Sequence, residues 1–367
     1  MFMVGRDELI LKNFADSFFE ARKLFLNACN MAGYSVKSYK NILGSEILKK
    51  DLFTDVCIAG NLKSKKVLFV ISGIHGVEGY AGSACQISLI ESGELKSEPS
   101  KIVLIHAMNP FGFCCGRRAN ENNVDLNRNF HDFGHTVDFD SKYEDIRDIF
   151  CPKKMTYKTK MLFWTRILSF IMRRGIGRLQ SSIQVGQYVD ALGLFFGGKE
   201  KSWSNYTLHK ILCEFGECAE KVLLVDLHSG LGGYGKAEML VAEPEGSSML
   251  EKSKDIWGDS VKSPLAGESS STKIEGSVRG AIKKQFECVD LACGTLEVGT
   301  YPGVMVLFRL WEENCSYHFG VADEIRGSRE RLKEIFCPED ERWRILYWGH
   351  FKKIINASLI ELRSVNV

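Results

Sequence analysis

Lys65 to Gln86 reads KKVLFVISGIHGVEGYAGSACQ. Val67 to Ile71 is apolar at every position, as a strand covered on both faces of a parallel sheet would be. Ala81 to Gly93, AGSACQISLIESG, reads as a helix closed by Gly93. A second apolar run, Lys101 to Pro110 (KIVLIHAMNP), reads as a strand stopped by Pro110. Strand, helix, strand predicts an α/β fold with a parallel sheet. Between the first strand and its helix stand His75 and Glu78, three apart among glycines.

The same pattern recurs outward from this stretch. Asn13 to Ala32 has helical apolar spacing, with Gly33 as a stop. Asp55 to Ala59 reads as a strand. Cys218 to Gly230, CAEKVLLVDLHSG, is an apolar strand that delivers His228 into glycines. Leu291 to Gly303, LACGTLEVGTYPG, carries Glu297 late in an apolar run, and Gly193 to Trp203 reads as a loop. The tail from Glu341 reads as a closing helix. Pro152 to Leu179 is basic around an apolar centre, Met161 to Met172. A core-facing helix with basic flanks is the default reading of that segment, with a subunit contact or a membrane-surface helix as alternatives.

The chain has 367 residues, 45% of them hydrophobic, which is ample for one large α/β domain with elaborations. A formal net charge of +2 gives no global field for nucleic acid or an anionic membrane. No apolar run reaches the roughly 18 residues of a membrane span. Arg6, Asp7 and Glu8 interrupt the opening residues where a secretion signal needs an apolar core. The 12 cysteines include no C-x-x-C pair, so free thiols in a reducing cytoplasm are expected. No G-x-S-x-G elbow is present, which disfavours a serine hydrolase, and no cysteine has an activating context.

Ligands of open α/β sheets sit outside the carboxyl ends of the strands, where residues distant in sequence converge. Four strand-like runs end in chemistry: His75 with Glu78, His228, Glu297, and the polar run RRANENNVDLNRNF after Lys101 to Pro110. The i, i+3 spacing of His75 and Glu78 puts both on one face of a helical turn. Two His and one Glu form a catalytic zinc set with a fourth position for water, and His228 supplies the second histidine. Asp226 is a second carboxylate near His228, and Glu297 is the candidate general base. Asn127 with Arg128 suits a substrate carboxylate, and Arg117 or Arg118 suits the oxyanion of a tetrahedral intermediate. A lone H-x-x-E binds nothing in most proteins, and only the joint pattern carries weight. His106 reads as a core histidine.

The order H-x-x-E, Asn-Arg, strand-end His and late Glu resembles the zinc carboxypeptidases of the carboxypeptidase A superfamily. NPFGFCCGRRANENNVDLNRNF (109–130) is similar to the aspartoacylase and succinylglutamate desuccinylase branch. SGIHGVEGYAGSACQ, GQYVDALGLFFGG, DLHSGLG and EVGTYPG resemble a bacterial branch known as a metallopeptidase-like domain of unknown function. The resemblance runs from about Phe14 to the C-terminal region. It implies an α/β fold with a mixed, mostly parallel central sheet flanked by helices. It implies one catalytic domain over 1–367, with an insertion at about 151–203. His75, Glu78 and His228 are then ligands of one Zn2+ per chain, with Glu297 as the base that activates the metal's water. Asn127 and Arg128 are the carboxylate pair, and Arg118 polarises the scissile carbonyl, with Arg117 kept open for that role.

The expected activity is hydrolysis of an amide next to a free carboxylate, by a metallocarboxypeptidase or an N-acyl amino acid deacylase. The substrate is a small molecule or a short peptide, the location is the cytoplasm, and self-association is left open. A protein of the same fold that binds metal or acts as a scaffold without catalysis is the alternative. The insertion's size favours a narrow cleft and a small substrate. The glycines around His75 are expected to let backbone approach metal and substrate.

Overall fold

A computed structural model describes residues 10–133, 143, 146–150, 156–265 and 276–364. In chain order the first elements are α1 (Phe18–Ala32), β1 (Ser35–Lys40), α2 (Ile42–Leu48), β2 (Phe53–Gly60) and β3 (Lys66–Ser72). Next come α3 (Gly79–Glu91), β4 (Lys101–His106), α4 (Pro110–Cys115) and α5 (Arg147–Phe150). The middle holds α6 (Tyr157–Arg174), α7 (Ile176–Gln184), α8 (Trp203–Gly216), β5 (Lys221–Gly230), β6 (Ala237–Leu240) and α9 (Ser248–Trp257). The last are β7 (Val261–Lys262), α10 (Val278–Gln285), β8 (Asp290–Gly299), α11 (Gly303–Phe319), α12 (Ala322–Phe336) and α13 (Glu341–Arg363).

Among the described residues the strands form one eight-stranded sheet in the order β1-β2-β4-β3-β5-β8-β6-β7. The central four, β4-β3-β5-β8, are mutually parallel. Antiparallel pairing joins β1 to β2, β2 to β4 and β6 to β8. The fold is therefore α/β with a mixed, mostly parallel sheet flanked by helices, as expected.

The apolar run of β3 serves two cores. Leu68 and Val70 face α1, α3 and α13, through Phe25, Ala84 and Phe351 among others. Val67, Phe69 and Ile71 face α8 and α10, through Leu208 and Ile282. A strand covered on both sides cannot alternate apolar with polar, which is why the run is continuous. A third apolar cluster joins α6, α7, α11 and α12 beside the sheet.

Two expectations need correction. The strand from Lys101 ends at His106, not at Pro110. Asn109 caps the next helix by accepting from the Gly112 amide at 2.9 Å, and Pro110 occupies the first helical position, where its missing N–H costs nothing. The segment expected as one helix over Pro152 to Leu179 instead forms two, α6 and α7, with Cys151 to Met155 outside the described residues. In α6 only Phe163 and Ile167 are buried, Phe163 lying 4.4 Å from the Trp311 ring. Tyr157, Met161, Leu168 and Met172 stay exposed. No described helix is long and apolar enough to cross a membrane. Among the described residues no two cysteines are joined in a disulfide.

Candidate metal centre

The strand ends converge. After β3 the backbone turns through Gly73 at φ +68 into a single 3-10 turn, Gly76–Glu78, with His75 at its start. Two hydrogen bonds clamp that turn to the segment after α4: Val77 N donates to Arg117 O at 2.8 Å and Gly76 N to Arg118 O at 3.2 Å. A Cβ on Gly76 would lie 2.0 Å from the Gly112 carbonyl carbon, and one on Gly79 would lie 2.6 Å from the Phe113 ring. These glycines let the turn press against α4. They do not open space toward a metal or substrate, which corrects the expectation.

His228 and Asp226 are two apart on β5 and share a face. The parallel register sets His228 opposite Glu297 and Asp226 opposite Thr295 on β8. His75, Glu78, His228 and Glu297 are all buried. Ligand atoms of His75, Glu78 and His228 lie within 4.8 Å of one another. His75 Nδ1 is 2.8 Å from Glu78 Oε1, and His228 Nδ1 is 2.8 Å from Glu78 Oε2. The other ring nitrogens are held from behind, His75 Nε2 by Asp125 at 3.2 Å and His228 Nε2 by Asp226 at 2.7 Å. Carboxylates in that position fix the tautomer and aim the free nitrogen. Two imidazole nitrogens and a carboxylate converging this way, each imidazole backed by a carboxylate, fit a zinc site.

Charge explains the titration of the cluster. Burial opposes ionisation of Glu78, but His75 and His228 outweigh it and hold its carboxyl well below the usual range. Burial likewise opposes a charged His228, and Asp226 with Glu78 push it well above an ordinary imidazole. Glu297 moves the other way. Burial and the nearby Glu78 raise it from 4.5 to about 7. Its Oε1 accepts from the Leu231 amide at 2.9 Å.

The predicted arginines separate. Arg118 lies over the cluster, with Nη1 donating to Glu78 at 3.3 Å and Nε donating to Asp125 at 3.0 Å. Arg117 points away and is fully buried. It donates to Glu313 at 2.7 Å and stacks 3.4 Å from the Tyr317 ring. Neighbouring residues leave the chain in different directions, so only Arg118 reaches the cavity, and Arg117 is dropped as a substrate-binding candidate. Asn127 and Arg128 do line the cavity. Asn127 Oδ1 accepts from Val278 N at 3.0 Å, which leaves its NH2 to donate. Arg128 is 3% exposed, and its Nε has no partner.

The cavity holds about 550 Å³. His75, Glu78, His228, Glu297, Arg118, Asn127 and Arg128 form its polar end, and Ile171, Leu179, Ile183, Val304 and Leu310 are among its apolar walls. Helices α6 and α7 therefore border the cavity. Two residues of the site escaped the sequence reading. Asp125 stands inside the polar run RRANENNVDLNRNF, yet nothing in the run announces its reach back to His75. Arg279, on α10, also lines the cavity. His106 is a core residue, stacked on Phe25 and paired with Ser83 at 2.9 Å.

The signature of the family described as Protein of unknown function (DUF2817) matches residues 14–348. No curated protein matches the chain. Carboxypeptidases are among the solved structures similar to it. A metallo-carboxypeptidase from Burkholderia cenocepacia is 10% identical, with a TM-score of 0.47, over 94% of this chain and 69% of that one. Carboxypeptidase A from Helicoverpa armigera is 14% identical, with a TM-score of 0.46, over 86% and 73%. Thrombin activatable fibrinolysis inhibitor is 12% identical, with a TM-score of 0.48, over 91% and 73%.

Proposed function

The chain belongs to this family of proteins of unknown function, and from its site we propose that it is a zinc-dependent hydrolase of an amide bond next to a free carboxylate. One observation carries the reading: a buried His75–Glu78–His228 cluster shares a cavity with a raised carboxyl, Glu297, and an incompletely bonded guanidinium, Arg128. A protein that only binds metal needs neither of the last two.

His75, Glu78 and His228 would hold the metal. Zinc, when bound, lowers the pKa of a coordinated water to about 7 and polarises a carbonyl. Glu297 accepts a proton from the attacking water and returns it to the leaving nitrogen. A carboxyl that titrates near 7 can do both at neutral pH. Arg118 places a guanidinium where the carbonyl oxygen gains charge. Asn127 and Arg128 grip the terminal carboxylate, Arg128 through the part of its guanidinium that lines the cavity. Burial lowers Arg128 from the ordinary guanidinium range, so an anion in the cavity relieves a cost already present. A C-terminal peptide residue and an N-acyl amino acid both present this pairing of amide and carboxylate.

The test is a mass-spectrometric screen of the zinc-loaded protein against N-acyl amino acids and C-terminally varied peptides. Release of a free amino acid by the unmodified protein, lost with chelator and in Glu297→Gln, supports the proposal. Equal release by Glu297→Gln sinks the mechanism.

A further inference from the structure

Helix α6 carries an apolar stripe that faces outward. Tyr157, Met161, Trp164, Leu168 and Met172 follow one another at i, i+4, i+7, i+11 and i+15, the spacing of one helix face. Their exposures are 80%, 56%, 40%, 58% and 73%. At 1.5 Å per residue the stripe runs for about 22 Å. Another face holds the helix to the fold, where the buried Phe163 ring meets those of Phe150, Phe308 and Trp311. Single exposed apolar residues are ordinary, but five in register along one helix mark a surface for something else.

Charge indicates what covers the stripe. Residues 157–178 hold six Lys or Arg and no Asp or Glu, in a chain whose net charge is only +2. Lys160 is paired with the buried Glu312 carboxylate at 2.7 Å, whereas Lys158 and Arg173 are exposed to one side of the stripe. Such side chains lay their stems on apolar surface and keep their charge at its edge. Against a second copy of the chain, these cations would meet a helix that again has no acidic residue, and like charges across an interface repel. An anionic lipid surface complements both features, with an apolar boundary for the stripe and phosphate for the cations. The helix also stands preformed. Thr156 and Thr159 close a capping box at its start, so docking orders no new turn. Ile171, beside the stripe on the same helix, lines the cavity together with Leu179 and Ile183 of α7. The outward face therefore borders the cavity's apolar wall.

We propose that α6 is a membrane-surface helix. Its stripe from Tyr157 to Met172 sits at the headgroup boundary of an anionic bilayer, with Lys158 and Arg173 against the lipid phosphates. The helix lies on the membrane and does not cross it, in keeping with its length and polarity. The proposal stands apart from the hydrolase reading, because it uses none of the residues of the metal cluster or the carboxylate clamp.

The experiment is flotation of the full chain with vesicles of phosphatidylcholine, either alone or with about a third phosphatidylglycerol. The unmodified chain should partition onto the anionic vesicles at least about tenfold more strongly than onto the neutral ones, and high salt should remove that preference. Leu168→Glu with Met172→Glu puts carboxylates into the stripe at exposed positions. Binding to anionic vesicles should then fall at least about 30-fold. Lys158→Gln with Arg173→Gln leaves the stripe whole and should lower binding about 25-fold, about fivefold per charge. This second pair keeps the proposal testable should the stripe variant misfold. Failure of the unmodified chain to float with anionic vesicles, equal flotation with neutral ones, or binding that survives either pair of substitutions overturns the proposal. A lipid-free dimer that Leu168→Glu with Met172→Glu dissociates assigns the stripe to a second copy and overturns it as well.

Discussion

Replacing Glu297 by Gln removes the proposed base, and it also stabilises the metal-free protein. In the fold Glu297 titrates near 7 instead of 4.5, because it is buried and faces Glu78. A folded value above the unfolded one means that the favourable contribution is complete below pH 4.5 and is lost as pH rises through 7. At about 1.36 kcal/mol per pH unit, the loss is about 1 kcal/mol at pH 5 and about 3 kcal/mol at pH 8. Gln keeps an oxygen for the Leu231 amide and cannot ionise, so it escapes the loss. Urea unfolding of chelator-treated protein at pH 5 and pH 8 measures this. The stability gained by Glu297→Gln should grow by about 2 kcal/mol between the two pH values, while any effect of shape alone cancels. Zinc reverses the local field and should shrink the gain. A gain that is the same at both pH values, or a variant less stable at pH 8 than at pH 5 relative to the unmodified protein, refutes the burial argument for Glu297.

Further outcomes follow from the same geometry. Elemental analysis of the unmodified protein should give about one zinc per chain, and His228→Ala or Glu78→Gln should lower it to background. Asp125→Asn removes the carboxylate that holds His75 Nε2 and Arg118 Nε. Zinc affinity, read by competition with a chromophoric chelator, should fall about 10- to 100-fold. Arg117→Ala strands the buried Glu313 carboxylate. It should cost about 3–5 kcal/mol in denaturant unfolding, while the folded fraction keeps its zinc stoichiometry.

How far the sequence was legible depends on where each signal came from. β3, β5 and β8 stand out because strands covered on both faces have no polar alternation, so a polar residue that ends such a run, His228 or Glu297, is conspicuous. The parallel register that sets these two side by side follows once all three runs share one sheet. Pro110 misled because proline ends strands and begins helices equally well, and only the Asn109 cap decides between them. Arg117 and Arg118 are adjacent and chemically identical, so no local pattern says which one turns inward to Glu313. Asp125 reaches His75 across 50 positions, a contact that no short motif contains. Arg279 lies in VRGAIKKQ, which reads as an ordinary basic surface helix, and its burial comes from packing against β6 and the Asn127 turn. The stripe left exposed on α6 was equally hidden, since an apolar helix centre looks the same whether or not anything covers it.

The metal centre itself is tested most directly by crystallography at the zinc absorption edge on protein soaked with zinc. The account predicts a single strong anomalous peak bonded by His75, Glu78 and His228 at the polar end of the cavity, lost in His228→Ala crystals. No peak there, or a peak whose ligands do not include all three residues, contradicts it.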